Sequence, residues 1–157
     1  MPKIDTKDPR LTFAQIKITV DTTEIFAKSI SYGDSMDFAD VEGNQQMSAG
    51  TTAGVYKADE ASIELYLEEY AALLDAFKDN FYRTTFKVTV AYEYQLAGIT
   101  GGKMKADELV ACRWTKRAAN DQSGADGLTR SLSFKPLYIK AGGHNPLPGA
   151  AMPQGAQ

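Results

Sequence analysis

The side chains best suited to covalent or metal chemistry are scarce in this 157-residue chain, which has one cysteine, Cys112, and one histidine, His144. A catalytic triad or a zinc site needs several such side chains brought together. Cys112 lies within a predicted strand, and His144 lies in a tail rich in glycine and proline. A nucleophilic pair would require that tail to fold across the sheet. The pattern favours a small buried thiol and a solvated imidazole.

Carboxylates and glycines offer only weak alternatives. Glu60 and Glu64 could share one strand face, but general acid–base catalysis needs burial that separates the two pKa values. The aspartates within residues 34–40 lack the spacing of a calcium loop. The segment 98–104 (GITGGKM) is one residue too short for a phosphate loop, and Met104 stands where Ser or Thr would hold magnesium. We therefore expect no catalytic residue, no metal site and no cofactor.

The overall composition is that of an ordinary globular domain, with 43% hydrophobic and 24% charged residues and a net charge of -3. This balance argues against a general nucleic-acid coat, which needs a dominant basic face. A single cysteine excludes an internal disulfide. No apolar run approaches the length that spans a bilayer, and the polar N-terminus does not resemble a secretory signal. We expect one soluble domain, synthesised in a reducing compartment, with no membrane partner.

The charges are distributed unevenly along the chain. Between Gly33 and Ala76 ten acidic residues are opposed by Lys57 alone, whereas from Lys103 to Lys140 eight basic residues stand against four acids. This asymmetry suits a subunit that meets the next copy head to tail, an arrangement that produces rings or filaments. Two solvated faces of a monomer would give the same asymmetry, and charge alone leaves both interpretations open.

Hydrophobic periodicity predicts a mostly β chain with a single helix. One segment has apolar residues at the helical spacing of Tyr70, Leu73, Leu74 and Phe77, with acids in its first turn, which predicts a helix over about 68–78. Elsewhere the alternation of apolar and polar residues indicates strands. The predicted strands cover residues 13–20, 25–32, 56–67, 84–94, 108–115 and 128–139.

A long insert, residues 33–54, interrupts this strand pattern. It has four glycines and many small polar residues, yet it also contains Met36, Phe38, Val41 and Met47. Segments of this length within a compact domain are usually functional or disordered, and disordered segments tend to lack large apolar side chains. We expect the insert to become ordered when these four side chains meet a partner. Packing back onto its own domain is the alternative.

These elements define a domain over residues 13–140 that contains both the insert and the helix. Residues 1–12 form an N-terminal arm that precedes it. The C-terminal tail, residues 141–157, is rich in Gly, Pro, Ala and Gln and cannot build a core of its own. The sequence shows no internal repeat.

The order and spacing of these elements resemble those of the major tail tube protein of long-tailed bacteriophages. The resemblance covers about residues 13 to 140, with the insert between its first two matching segments. Those segments are 27–32 (AKSISY), 54–70 (GVYKADEASIELYLEEY), 109–115 (LVACRWT) and 132–139 (LSFKPLYI). The family shares its fold with the tube proteins of contractile injection systems. The resemblance implies a mostly β fold, a β-sandwich or partial barrel with one flanking α-helix and a long inter-strand loop.

The resemblance also implies a structural subunit and not an enzyme. Six copies would form a ring, and rings would stack head to tail into a hollow tube that holds the tape-measure protein and conducts DNA. The tube would belong to a virion tail assembled in the host bacterial cytoplasm, with a sheath around it if the tail contracts. The insert would contact the adjacent ring. Glu60, Glu64 and Glu93 are candidates for an acidic lumen that repels passing phosphates.

Other functions fit the same elements. A baseplate or adaptor ring of the same fold would have a fixed copy number and would not polymerise. A monomeric β-sandwich that binds sugar or peptide, or a hydrolase with a dispersed acidic site, belongs to a different class. Size-exclusion chromatography with negative-stain microscopy distinguishes the assembling proteins from the monomeric ones.

Overall fold

The computed structural model of the chain describes residues 16–44, 46–47, 50–94, 103–149 and 152. Within these residues the chain forms twelve strands, one α-helix and a short 3-10 turn at Lys78–Asn80. The elements are β1 Ile16–Val20, β2 Thr23–Ile25, β3 Ala27–Ser31, β4 Asp34–Asp37, β5 Asp40–Val41, β6 Gly50–Thr51, β7 Val55–Ala58, β8 Ala61–Tyr66, α1 Leu67–Phe77, β9 Phe86–Tyr94, β10 Lys103–Ala119, β11 Thr129–Lys135 and β12 Tyr138–Lys140. The predicted N-terminal arm, 1–12, lies outside the described residues.

The main sheet has two layers because β10 takes part in both. Its first half pairs with β9 and β12, and β9 continues through β1 to β2. Its second half pairs with β11, which continues through β8 to β3. We call the first layer sheet A and the second layer sheet B. All these pairings are antiparallel, and the sheets are not closed into a barrel. The predicted mostly β sandwich with one helix is therefore confirmed.

Strand β10 bends where it passes from sheet A to sheet B. Its pairing shifts at two irregularities, one between Leu109 and Cys112 and one between Trp114 and Lys116. Ala111, within the first of them, has a φ of 53°. This left-handed conformation costs an ordinary L-residue roughly 1–2 kcal/mol. Because bulges bend a strand and increase its twist, one strand of 17 residues can serve both layers.

The segment that pairs with β10 turns the same corner at Pro136. The sequence predicted one strand over 128–139, whereas the structure has β11 and β12 on either side of Pro136 and Leu137. Proline has no N–H to donate, so the ladder is interrupted at this fully buried residue. The Leu137 N–H then donates to the Val110 carbonyl at 3.0 Å, where pairing with β10 resumes in the other sheet.

Two other predicted strands are divided in the same manner. The predicted strand 25–32 becomes β2 and β3, separated by Phe26, and the predicted strand 56–67 becomes β7 and β8. The partner strand changes at each break, since β2 pairs with β1 but β3 pairs with β8, and β7 pairs with β4 but β8 pairs with β11 and β3. Periodicity shows which face of a strand meets the core but not which strand lies beside it.

The core lies between the two sheets and under α1. Helix α1 spans Leu67–Phe77, close to the predicted range, and buries Leu73 and Phe77. None of the helical segments in the described part of the chain is both long and apolar enough to cross a membrane. The fully or nearly buried side chains of the sheets include Ile18, Val20, Ile63, Leu65, Val88, Val90, Leu109, Leu132 and Phe134.

Trp114 is the centre of an aromatic cluster within this core. Its ring stacks on Phe86 and Phe81, with centroids 4.4 and 5.1 Å away, and it meets Phe77 and Phe134 edge-on. Aromatic pairs of these geometries contribute about 0.5–1.5 kcal/mol beyond the area that they bury. The cluster therefore joins α1 to both sheets at the corner of β10.

We predict that Ala111→Val destabilises the fold while Ala111→Gly does not. A β-branched residue is an outlier at positive φ, whereas glycine adopts that conformation freely. The unfolding free energy of the valine variant should be about 1–3 kcal/mol lower than that of the glycine variant. Denaturant titration of the dissociated chain measures the difference. Equal midpoints for the two variants would show that the corner does not depend on this backbone conformation.

Candidate assembly surface

The structure places the lone cysteine and the lone histidine in different environments. Cys112 is fully buried, and its thiol donates to the Leu109 carbonyl at 3.2 Å. Burial raises the pKa of Cys112 to about 12, so the thiol stays protonated at neutral pH. His144 is exposed in the turn after β12. Cys112 is thus the small core side chain that its strand position predicted.

The other candidates from the sequence are the carboxylates and the glycine-rich segment 98–104. In the described ranges, no group of three or more His, Cys, Asp and Glu side chains is placed to hold a metal ion. The glycine-rich segment 98–104 lies largely outside the described residues, which resume at Lys103. Asp34, from the acidic cluster of the insert, is engaged in a hydrogen bond with Tyr56.

The insert 33–54 contributes to a two-stranded antiparallel ribbon. Strand β4 pairs with β7, and further out β5 pairs with β6. We call residues 33–58 the arm and its outer end, residues 41–50, the tip. Residues 38–39 and 52–54 separate the two strand pairs, so β5 and β6 lie past the end of the β4–β7 pair. Sequence reasoning predicted an irregular loop because polar and small residues obscure the two-residue period here.

The four apolar residues predicted as anchors all lie on the arm. Phe38, Val41 and Met47 expose 59%, 47% and 80% of their surface, and Met36 is half-buried opposite Tyr56. The three exposed side chains therefore do not pack into the core of their own domain. Clustered exposure of large apolar groups is typical of an interaction surface.

Gly54 determines how Phe38 sits on the arm. A β carbon at Gly54 would lie 2.8 Å from two ring carbons of Phe38 and 3.0 Å from the Asp37 carbonyl oxygen. Gly54 also has a φ of 86°, in the left-handed region. Any other residue would be strained and would push the Phe38 ring away. Sequence reasoning treated Gly54 as one of several loop glycines, and only the cross-strand contact identifies its role.

Tyr56 fastens the base of the arm to sheet A. Its hydroxyl donates to the Asp34 carboxylate at 2.7 Å and accepts the Ile139 N–H at 3.0 Å. Burial and the hydrogen bond to Asp34 raise the pKa of Tyr56 to about 12. The neutral phenol is therefore the form that the folded base requires.

Tyr32 fastens the other side of the base. Its hydroxyl donates to one oxygen of Asp107 at 2.5 Å, and the second oxygen of Asp107 accepts the Gly142 N–H at 2.8 Å. Burial and the hydrogen bond to Asp107 hold the pKa of Tyr32 well above its usual range. Asp107 thus joins the arm, sheet A and the start of the C-terminal tail at one point.

A groove of about 570 Å³ lies beside the base of the arm, at the corner where β10, β11 and β12 change sheets. We call it the corner groove. The charged residues among its described lining are the cations Lys57, Arg113 and Lys135, and none of that lining is acidic. Its apolar lining includes Trp114, Pro136 and the half-exposed Leu137. The groove can accept a chain that carries apolar side chains next to negative charge.

The acids predicted to face a lumen occupy three different settings. Glu60 is exposed in the connection between β7 and β8. Glu64 is half-buried on β8, where it accepts the Thr129 hydroxyl at 2.9 Å and lies 3.9 Å from the Lys28 ammonium. Glu93 lies on β9, and its side chain is outside the described residues. Because β8 belongs to sheet B and β9 to sheet A, one sheet alone cannot carry both Glu64 and Glu93.

The outer face of sheet B carries short hydroxyl side chains in register. One row across β11, β8 and β3 is Ser133, Ser62 and Ser31, and the next row is Ser131, Glu64 and Ser29. These side chains are exposed or half-buried. The result is a polar surface, and its first row continues on β10 at the exposed Lys116, opposite Ser133. The sequence signal for it is the recurrence of serine at outward positions of three strands, which sequence reasoning overlooked.

No protein-family model and no curated protein sequence matches the chain. Solved structures share its fold. A chain of the extracellular contractile injection system PVC, from its sheath/tube terminator, gives a TM-score of 0.64 at 11% identity, covering 85% of this chain and 97% of that one. A chain of the anti-feeding prophage baseplate gives 0.57 at 9% identity, with 86% and 96% covered. Hcp1 from Flavobacterium johnsoniae gives 0.52 at 15% identity, with 82% and 95% covered.

The chain therefore has the tube-protein fold found in Hcp and in contractile injection systems. The resemblance predicted from the sequence is confirmed at the level of this fold, and the neighbours do not single out a phage tail tube.

We predict that alkaline pH loosens the base of the arm through Tyr56. Its folded pKa lies above the unfolded value, so its contribution to stability is complete below pH 10 and is lost as the pH rises through about 12. Unfolding titrations at pH 9 and pH 11.5 should show a larger loss in the native chain than in Tyr56→Phe. The control Tyr66→Phe, on β8, should keep the native pH dependence. An unchanged pH dependence in Tyr56→Phe would contradict the prediction.

Proposed function

We propose that this chain is the structural subunit of a phage-type tail tube, in which hexameric rings stack into a hollow conduit for DNA. The observation that carries the proposal is the arm: a ribbon fixed at its base that presents Phe38, Val41 and Met47 to the outside of a tube-protein fold. A monomer has no use for such a projection, whereas a stacked ring needs a connection to its neighbour. The role is structural and involves no catalysis.

Ring formation is supported by the open ends of the sheet. In the described strands sheet B has an edge on each side, at β3, which pairs with β8 alone, and at residues 113–119 of β10, which pair with β11 alone. Edge strands offer backbone N–H and C=O groups to another chain. Six copies joined through their sheets would form one continuous barrel, which has no exposed edges.

Ring stacking is supported by the chemistry of the arm. Residues 33–54 carry four acids and no basic residue, and their exposed apolar side chains lie close to those acids in sequence. Met36, Phe38, Val41 and Met47 are the proposed contacts with the adjacent ring. Desolvating them there would contribute about 25 cal/mol for each Å² of apolar surface buried.

The outer face of sheet B is the proposed wall of the lumen. The short hydroxyl side chains on β3, β8 and β11 give DNA and a tape-measure protein few groups to bind, and Glu64 contributes negative charge beside the cation Lys28. Glu60, at the start of β8, would stand at the margin of this wall. The assembly would belong to a virion tail built in the host cytoplasm, with a sheath outside it in a contractile tail.

A second candidate is a baseplate or adaptor ring. The structural similarity to a chain of the anti-feeding prophage baseplate favours it, because that chain shares the fold over 86% of this one. Such a protein would form single rings that do not elongate. Electron microscopy of the purified chain separates the two functions, since a tube subunit gives tubes of variable length.

We predict that deleting Met36 to Thr52 leaves the domain folded and abolishes tube growth. The removed residues form most of the arm and lie outside the core, so circular dichroism and the unfolding midpoint should change little. The paired substitution Phe38→Ser with Met47→Ser should act in the same direction. Leu128→Ser, which also removes an exposed apolar side chain but lies outside the arm, is the control and should assemble. Negative-stain microscopy measures the result.

Two outcomes would contradict this function. A native chain that stays strictly monomeric at high concentration would exclude both the tube and the ring. Tubes formed by the deletion variant would show that the arm does not connect rings.

We predict that residues on the outer face of sheet B become inaccessible in tubes. Ser62→Cys, on β8, should react with a bulky maleimide reagent in the dissociated chain and be protected after assembly. Lys17→Cys, on the outer face of sheet A, is the matched site and should remain reactive. Cys112 does not interfere because it is fully buried. The opposite pattern of protection would assign the lumen to sheet A.

A further inference from the structure

We propose that the corner groove receives the arm of the next copy, so that each stacking contact inserts an arm into a groove. This inference rests on the proposed function and names the surface that the arm reaches. The occupant is a second copy of this chain. Three properties of the two surfaces support it: their charge, their apolar content and their separation within one molecule.

The charges of the two surfaces are complementary. Lys57, Arg113 and Lys135 line the corner groove, and the lining residues that the structure describes include no acid. Residues 33–54 of the arm carry Asp34, Asp37, Asp40 and Glu42 with no basic residue. Complementary charge favours the correct pairing and disfavours contact between two grooves or two arms. The acidic middle and basic end of the sequence thus become two specific surfaces.

The apolar groups also match. The exposed apolar side chains of the groove lining are Leu137 and Tyr82, at 50% and 43% of their surface. The arm presents Phe38 and Met47 with most of their surface exposed. A volume of about 570 Å³ lies within the range of pockets that bury a ligand of several side chains in size. Docking would remove apolar surface from water on both sides.

The position of the corner groove favours an occupant from another copy. Tyr56, Lys57 and Ala58 form both the base of the arm and a wall of the corner groove. The β5–β6 pair lies beyond the β4–β7 pair along the chain, at the end of the arm away from these wall residues. One copy therefore offers an arm at one end and a groove at the other. A contact between two different surfaces can repeat from copy to copy, whereas a contact between identical surfaces stops at a dimer. Stacked rings need the first kind of contact.

A disulfide trap tests the contact in the full chain. Met47→Cys and Leu137→Cys are introduced together, so that each copy carries one thiol on the tip and one at the groove. Mild oxidation of assembled material should give a ladder of covalent oligomers beyond the dimer on a non-reducing gel. The matched control combines Met47→Cys with Leu128→Cys, which lies outside the groove lining, and should give no ladder.

Charge exchange tests the same contact without a new bond. Reversing the arm with Asp40→Lys and Glu42→Lys, or the groove with Lys57→Glu and Arg113→Glu, should each stop tube growth. Combining the four substitutions in one chain should restore tubes, because every arm then meets a groove of opposite charge. Unfolding midpoints verify that each variant is folded.

The outcomes separate this inference from the function on which it rests. The native chain could form tubes while the variant with Met47→Cys and Leu137→Cys gives no ladder, or while its control gives an equal ladder. Either result would overturn docking of the arm in the groove and leave the tube function intact. If the variant with all four substitutions is folded but forms no tubes, this would also contradict docking of the arm in the groove. A native chain that forms neither rings nor tubes would overturn both.

Discussion

The rest of the structure depends on one constraint: strand β10 must hydrogen-bond within both sheets of the sandwich. Its bulges and the left-handed Ala111 allow β10 to bend from one sheet to the other. The buried Pro136 separates β11 from β12 at the same corner. Trp114, just past the turn, then packs between α1 and the two sheets. Because β10 and its neighbour bend together, the corner leaves a groove on the outside while it closes the core on the inside.

The arm combines a hydrogen-bonded base with an outer part that carries acids and exposed apolar side chains, and the two have different physical roles. At the base, Tyr32 and Tyr56 make hydrogen bonds to carboxylates that fix where the ribbon leaves the domain. Beyond the base, Phe38 and Met47 remain exposed, so the domain gains nothing from them by itself. A side chain of this kind contributes stability only when a partner desolvates it. Core side chains therefore contribute to folding, whereas the exposed side chains of the arm contribute to contacts with a partner.

Hydrophobic alternation was sufficient to predict most strands and the helix, because burial on one face imposes a period of two or 3.6 residues. It failed where a strand changes partner without changing face, as at Phe26 and at Pro136 with Leu137. It also failed in the arm, since a ribbon without a buried face shows no alternation to detect. For the candidate surface, the sequence identified Met36, Phe38, Val41 and Met47 but not the groove, whose lining comes from four separated stretches of chain.

The sequence by itself determined the class of fold and the unequal charge of the middle and the end of the chain. Only the tertiary structure decided that the insert is a ribbon, that Gly54 must be glycine beneath Phe38, and that Lys57, Arg113 and Lys135 line one groove. The physical reason is the range of the interactions involved. Periodicity and composition report local burial, whereas the corner of β10 brings together residues that lie far apart along the chain.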